Sequence, residues 1–104
     1  MDLNILVIGR DRAILEVVER LINSHEGWKA TTVTEEGRAF AALGEKEYRI
    51  VFVAAGVGFE EEDGLRRRIN ERYPSIVVTR HFGGGSGLLE NEILSILNSD
   101  RYDK

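Results

Sequence analysis

Glycines crowd one stretch near the end of the chain, where HFGGGSGLL follows the apolar run Ser75–Thr79. The run is typical of a β-strand, and the residues after the glycines follow a helical pattern. Glycines let a backbone approach a phosphate closely, and the free N–H groups at the start of a helix attract anions. The order of strand, glycine loop and helix therefore makes Gly83, Gly84, Gly85 and Ser86 a candidate anion site.

The glycine loop nevertheless lacks the residues of the specific phosphate motifs. No lysine follows its last glycine, as a P-loop requires, and Leu88 stands where a dinucleotide fingerprint has its third glycine. That fingerprint also follows a first strand, whereas this loop follows the last predicted one. Three interpretations remain: a turn, a turn that also binds an anion, and an interaction loop.

Cationic and polar side chains stand at the predicted strand ends and form a candidate ligand set with the loop: Arg10, Asp11, Thr79, Arg80 and His81. Guanidinium groups suit an anionic ligand or the carboxylate of a partner protein. The alternative is that the arginines are solvated edge residues and that Asp11 caps a helix. Since the second histidine, His25, lies far along the chain, we expect no metal site and no cofactor.

The elements that position these residues alternate along the chain as strand and helix, four times over. The predicted strands are buried-type or β-branched runs, at Ile5–Ile8, Lys29–Thr34, Tyr48–Val57 and Ser75–Thr79. The predicted helices follow Asp11, Thr34, the segment FEEEDG and the glycine loop, with Gly27 ending the first. This order predicts an α/β fold in which a parallel sheet is covered by helices on both faces. We expect one domain spanning residues 1–104.

Three segments in this order resemble the receiver domains of bacterial response regulators, the CheY-like branch of the flavodoxin-like folds. They are NILVIGRDRAILEVVERLI, EYRIVFVAAG and EDGLRRRINERYPSIVVT, the last with an Asp-Gly-Leu helix start and a proline before the fourth strand. The resemblance covers about residues 3–82. It implies a three-layer sheet with the strands in the order 2-1-3-4.

The receiver chemistry that the resemblance implies does not map onto this chain. In that family an acidic pair holds magnesium, an aspartate accepts the phosphoryl group, and a hydroxyl and a lysine grip its oxygens. Here the acidic pair falls on Gly9 and Arg10, and the phosphoacceptor falls on Ala54 or Gly56. Thr79 matches the hydroxyl position, but the lysine and the fifth strand have no counterpart. We expect neither phosphorylation nor magnesium binding.

Composition narrows the partners further. The chain has 104 residues, no cysteine and a net charge of −4, which disfavours nucleic acid as a partner and excludes thiolate chemistry. No apolar run reaches the roughly 20 residues that span a bilayer. The start MDLNILVIG has no basic region typical of a signal peptide. We expect a cytoplasmic protein without a membrane partner.

The leading hypothesis is therefore a phosphorylation-incompetent receiver-like module that acts through protein–protein contact in two-component or phosphorelay signalling. The alternative is a small-ligand or nucleotide module that uses Gly83–Gly87. An enzyme is not expected, because no nucleophile–base pair can be assembled. In the order 2-1-3-4 the strand Ser75–Thr79 lies at an edge of the sheet, which predicts a homodimer through that edge unless the last helix covers it. Trp28 is either edge packing or an anchor for a partner.

Overall fold

The structure, a computed structural model, describes residues 3–54, 56–80 and 91–97. Strands and helices alternate along it, as the sequence predicts, and residues 91–97 are helical. The bounds are β1 Leu3–Ile8, α1 Arg12–Asn23, β2 Trp28–Val33, α2 Glu36–Leu43, β3 Ile50–Val53, α3 Phe59–Arg72 and β4 Val77–Arg80.

The four strands form one parallel sheet in the order β2-β1-β3-β4, which confirms the predicted topology. The register aligns Ile8 with Val33 on one side and with Val53 on the other, and Val53 in turn with Arg80. The carboxyl ends of all four strands therefore lie in one row. In open parallel sheets this edge is where ligands and reactive groups are usually placed.

The two central strands are buried on both faces of the sheet because β1 and β3 are apolar at every position from Ile5 to Ile8 and from Ile50 to Val53. Successive side chains point to opposite faces. One cluster joins Leu6, Ile8, Val51 and Val53 to α2 and α3. A second cluster joins the alternate residues of the same strands to α1 and to the buried Ile93. The fold is thus the predicted three-layer α/β sandwich.

Helix α1 begins as the sequence predicts and ends earlier. The carboxylate of Asp11 accepts hydrogen bonds from the backbone N–H groups of Ala13 (2.9 Å) and Ile14 (3.3 Å), which is the capping role. The helix ends at Asn23 rather than at Gly27. Gly27 lies in the turn before β2 with φ of 85°, a conformation that glycine adopts without strain.

Helix α3 begins earlier than the sequence predicts, and the Asp-Gly-Leu segment lies inside it. It starts at Phe59, so Glu60, Glu61 and Glu62 form its first turn. Carboxylates favour this position because the helix dipole is positive there. Gly58 occupies the N-cap and supplies no side-chain hydrogen bond to the helix start.

All four strands differ from their predicted bounds, the first two only slightly: β1 begins at Leu3 and β2 covers Trp28–Val33. Strand β3 covers only Ile50–Val53, the central part of the predicted apolar stretch. Strand β4 begins at Val77 and extends through Arg80. It starts late because a turn at Pro74 precedes it, closed by the N–H of Ile76 donating to the Tyr73 carbonyl at 3.1 Å. Within the described part of the sheet, β4 occupies one edge, as expected.

Candidate functional site

Gly9 and Ala54 lie side by side where β1 and β3 end. The backbone N–H of Ala54 donates to the carbonyl of Ile8 at 2.8 Å, so the two chains are still paired here. Ala54 is buried. A Cβ placed on Gly9 would lie 3.0 Å from the Ala54 Cβ and 3.1 Å from a methyl carbon of Leu15. Small residues therefore close this part of the edge, and neither position carries a group that can bind a cation or act as a nucleophile.

Arg10 spans the turn between β1 and α1. Its guanidinium donates to the Thr34 carbonyl at 2.5 Å and pairs with the carboxylate of Glu61 on α3. The aliphatic part of its side chain lies over Gly56, where a Cβ would come within 2.9 Å of the Arg10 Cβ. Gly56 has φ of 96°, so both its backbone and its surroundings require glycine. Arg10 thus ties three segments of this edge together.

Arg80 is largely shielded from water, not a solvated edge residue. Its side chain is 11% exposed. Its guanidinium pairs with the carboxylate of Glu62, donates to the carbonyl of Val57 at 2.6 Å, and lies 4.7 Å from the centre of the Phe59 ring. These contacts reach from the end of β4 to the start of α3.

The carboxylate of Glu62 pairs with two arginines on the inner side of α3. Besides Arg80, it accepts a hydrogen bond from Arg66 at 2.8 Å, and its side chain is 9% exposed. Burial alone would raise the pKa of Glu62, but the hydrogen bonds and positive charges of Arg80 and Arg66 outweigh it, so the pKa lies below its usual value. The carboxylate is therefore ionised in the folded protein at neutral pH.

The predicted ligand set is not brought together as one site by the described residues. Asp11 caps α1, Arg10 is paired with Glu61, and Arg80 is paired with Glu62. Thr79 is aligned with Phe52 and Arg80 with Val53, so the two neighbouring side chains point to opposite faces of the sheet. Gly83, Gly84, Gly85, Ser86 and His81 lie outside the described residues, and the loop's role stays a prediction.

Sequence reasoning missed Glu62, Val57 and Phe59 as members of this edge. Glu62 is one of four consecutive acidic residues, and the other three are not buried. A signal was present, because Glu62 shares one helical face with Leu65 and Ile69, both buried. A carboxylate on an apolar face indicates a buried ionic partner.

The remaining candidates have structural roles or find no support. Trp28 stacks on His25 with ring centres 4.0 Å apart and packs against the core, as the packing interpretation expects. In residues 3–54, 56–80 and 91–97, no group of three His, Cys, Asp or Glu residues is arranged to hold a metal ion. Nor does the described part contain a helix long and apolar enough to cross a membrane.

The sequence matches no protein-family model and no curated protein, whereas the fold has clear counterparts among solved structures. The signal receiver domain of an HD domain-containing protein from Pseudomonas fluorescens superposes with a TM-score of 0.68 at 21% identity, over 77% of this chain and 63% of that one. This chain thus spans less than two thirds of that domain.

Two further receiver structures agree. A response regulator from Thermotoga maritima matches with a TM-score of 0.66 at 23% identity, over 89% of this chain and 77% of that one. The non-phosphorylated receiver domain of the stress response regulator RcsB from Escherichia coli matches at 0.62 and 12% identity, over 92% and 76% of the two chains. At these identities the likeness establishes the architecture: the chain has the CheY-like, flavodoxin-like fold of response regulator receiver domains.

Proposed function

We propose that this chain is a receiver-like signalling module that acts through contact with another protein and does not accept a phosphoryl group. The receiver fold supports the first part. The observation that carries the second is the packing of Gly9 against Ala54, which leaves the end of β3 without a nucleophile. The role is that of a response regulator-like component in bacterial two-component or phosphorelay signalling.

Ala54 is the better match to the phosphoacceptor position than Gly56. It directly follows the last residue of β3 and lies beside Gly9, at the junction of the two central strands. Gly56 lies further along the turn, beneath the Arg10 side chain. A methyl group in this place cannot attack a phosphodonor, so phosphoryl transfer by the receiver mechanism has no first step.

The electrostatics of the edge also oppose magnesium. Mg²⁺ is held by oxygen ligands, chiefly carboxylates. At the position of the acidic pair this chain has Gly9 and Arg10, and the Arg10 guanidinium already satisfies Glu61. A divalent cation would have to displace that guanidinium and tolerate its charge. We accordingly propose no bound metal, no catalytic activity and a cytoplasmic setting, in which residues 1–104 work as one domain.

The signalling surface is then not controlled by phosphorylation. In a module of this kind a partner protein reads a permanently formed surface, or one set by another ligand. A second copy of the chain is the alternative partner, through the edge strand predicted at Ser75–Thr79 and formed by β4. Edge strands of apolar sequence pair readily with another strand. Light scattering over a range of concentrations tests this, and a strict monomer rejects the homodimer.

Phosphorylation incompetence is tested with beryllofluoride and magnesium, followed by residue-resolved amide NMR, and with acetyl phosphate followed by intact mass. A phosphorylatable receiver domain in the same buffers is the control. We expect no saturable shift and no covalent adduct for this chain, and both for the control. A saturable shift at Gly9, Arg10 or Ala54 would refute the proposal.

The same samples distinguish the ligand-binding alternative. Inorganic phosphate, pyrophosphate and a panel of nucleotides are added without magnesium, and the melting temperature is recorded. A saturable stabilisation that is lost in Gly84→Ala or Ser86→Ala would favour an anion site at the glycine loop. No change with any anion would leave the protein-contact hypothesis.

A further inference from the structure

The connection from β3 into α3, residues 56–62, has little internal support. Gly56 and Gly58 contribute no side-chain contacts to it, and Gly58, at the N-cap, provides no side-chain hydrogen bond to the helix. Phe59, the first residue of the helix, is 73% exposed. Within the connection, the stabilising contacts are the buried side chain of Val57 and the hydrogen bond from the Glu62 N–H to the Gly58 carbonyl, 2.9 Å long.

Arg80 ties this connection to the end of β4. Its guanidinium contacts the backbone at Val57, the ring of Phe59 and the carboxylate of Glu62. These three residues lie at the start, the middle and the end of the connection. One side chain from a neighbouring strand therefore holds a segment that is otherwise weakly anchored.

Burial makes Arg80 the main tie. The other ion pair that reaches the connection, Arg10 with Glu61, has side chains 42% and 30% exposed, and pairs of this kind contribute little because water screens them. The Arg80 and Glu62 side chains are 11% and 9% exposed. Removing one partner of a buried pair leaves the other charge incompletely compensated, which is costly. Arg66 remains beside Glu62, but its guanidinium bonds to the Glu62 carboxylate and the Val78 carbonyl and so does not replace the contacts of Arg80 with Val57 and Phe59.

We propose that Arg80 is a latch. When the contacts of its guanidinium are formed, residues 56–62 are held against the end of β4. When these contacts break, the residues open as a unit while the sheet stays folded. This concerns the conformation of the edge and does not depend on whether the chain accepts a phosphoryl group. The connection then has two conformations, closed and open, and lies next to the exposed Phe59. A binding partner that prefers one conformation would shift the equilibrium between them.

Amide hydrogen exchange followed by NMR tests the latch in the full chain. The N–H of Glu62 reports on the connection, and the N–H of Ala54, bonded to the Ile8 carbonyl at 2.8 Å, reports on the sheet. Arg80→Met removes the guanidinium and keeps much of the aliphatic stem. Arg67→Met is the matched control, since Arg67 is an exposed residue of α3, the helix that also contains Glu62.

In Arg80→Met we expect the Glu62 amide to exchange at least about tenfold faster, with a much smaller change at Ala54. Arg67→Met should leave both rates unchanged. Equal acceleration at both amides, or none at Glu62, would overturn the proposal. If Arg80→Met does not fold, Glu62→Gln is measured in its place, because it keeps an acceptor oxygen and the side-chain size. Exchange of the amide at position 62, relative to its intrinsic rate, must then accelerate much more than exchange at Ala54.

Discussion

Gly9 and Ala54 touch at the point where the two central strands end. A methyl group on Gly9 would approach the Ala54 Cβ to 3.0 Å and a Leu15 methyl to 3.1 Å. All three belong to rigid, buried parts of the structure, so the neighbours have little freedom to move. This contact fills the junction of the two central strands, and it makes the smallness of both residues a structural requirement.

Gly9→Ala should therefore lower the free energy of unfolding by about 1–3 kcal/mol, the usual cost of overpacking a core. Gly37→Ala is the matched control, because a Cβ at Gly37, in the first turn of α2, meets nothing within 4 Å. The control should stabilise by about 0.5 kcal/mol, since alanine favours helix more than glycine. Urea denaturation measures both. Equal effects in the two variants would contradict the packing argument.

Gly56 and Gly58 make a second matched pair in the turn after β3. Gly56→Ala should destabilise by about 1–3 kcal/mol, because φ is 96° there and the new methyl would lie 2.9 Å from the Arg10 Cβ. Gly58→Ala should cost less, at most about 1 kcal/mol, since φ is −70°, no atom lies within 4 Å, and only the preference of the N-cap for glycine over alanine is lost. Thermal denaturation compares them, and a Gly58 variant as unstable as the Gly56 variant would be evidence against this assignment.

The topology could be predicted because it depends on local patterns. Buried strands such as Ile5–Ile8 and amphipathic helices such as α1 leave period-2 or period-3.6 signals within a few residues. The arginine contacts could not be predicted in this way. Arg80 looks like a solvated residue in the sequence because its partners, Val57 and Glu62, lie 23 and 18 residues away and meet it only through the parallel register.

The bounds of the helices were also harder to predict from the sequence than the topology, again for a physical reason. Acidic residues before an apolar face fit either a segment that precedes a helix or its first turn, so the exact start of the helix near FEEEDG is not fixed by the pattern. The glutamates of this segment lie in the first turn of α3, where the helix dipole stabilises them. Only Glu62 of this run turns inward, and its spacing from Leu65 was the available clue.

The cap of α1 gives a third prediction. The Asp11 carboxylate binds two backbone N–H groups that would otherwise lack partners, those of Ala13 and Ile14. Asp11→Ala should reduce the free energy of unfolding by about 1 kcal/mol. Glu16→Ala, at an exposed position in the same helix, should change it by less than about 0.5 kcal/mol. If Asp11→Ala matches Glu16→Ala in urea denaturation, the cap contributes nothing measurable.

Glu62 makes stability depend on pH. Its pKa in the folded protein lies below the ordinary value of 4.5, because Arg80 and Arg66 favour the carboxylate more than burial disfavours it. In the unfolded chain these partners are lost, so the unfolded state binds the proton at higher pH. The contribution is therefore fully present above the ordinary value and is lost as pH falls through the lower folded pKa.

Glu62→Gln isolates this contribution from those of the other carboxylates, because it retains the size and an acceptor oxygen without the charge. At neutral pH the substitution should cost about 1–2 kcal/mol, the difference between a charged and a neutral hydrogen bond in a buried setting. That difference should shrink as the pH is lowered below the ordinary value of 4.5, since the unfolded wild-type chain then takes up a proton at this carboxyl, and the folded protein does so at its lower pKa. Urea denaturation of both proteins across this range measures it. A difference that stays constant with pH, or grows on acidification, would mean that Glu62 is not held ionised by the two arginines.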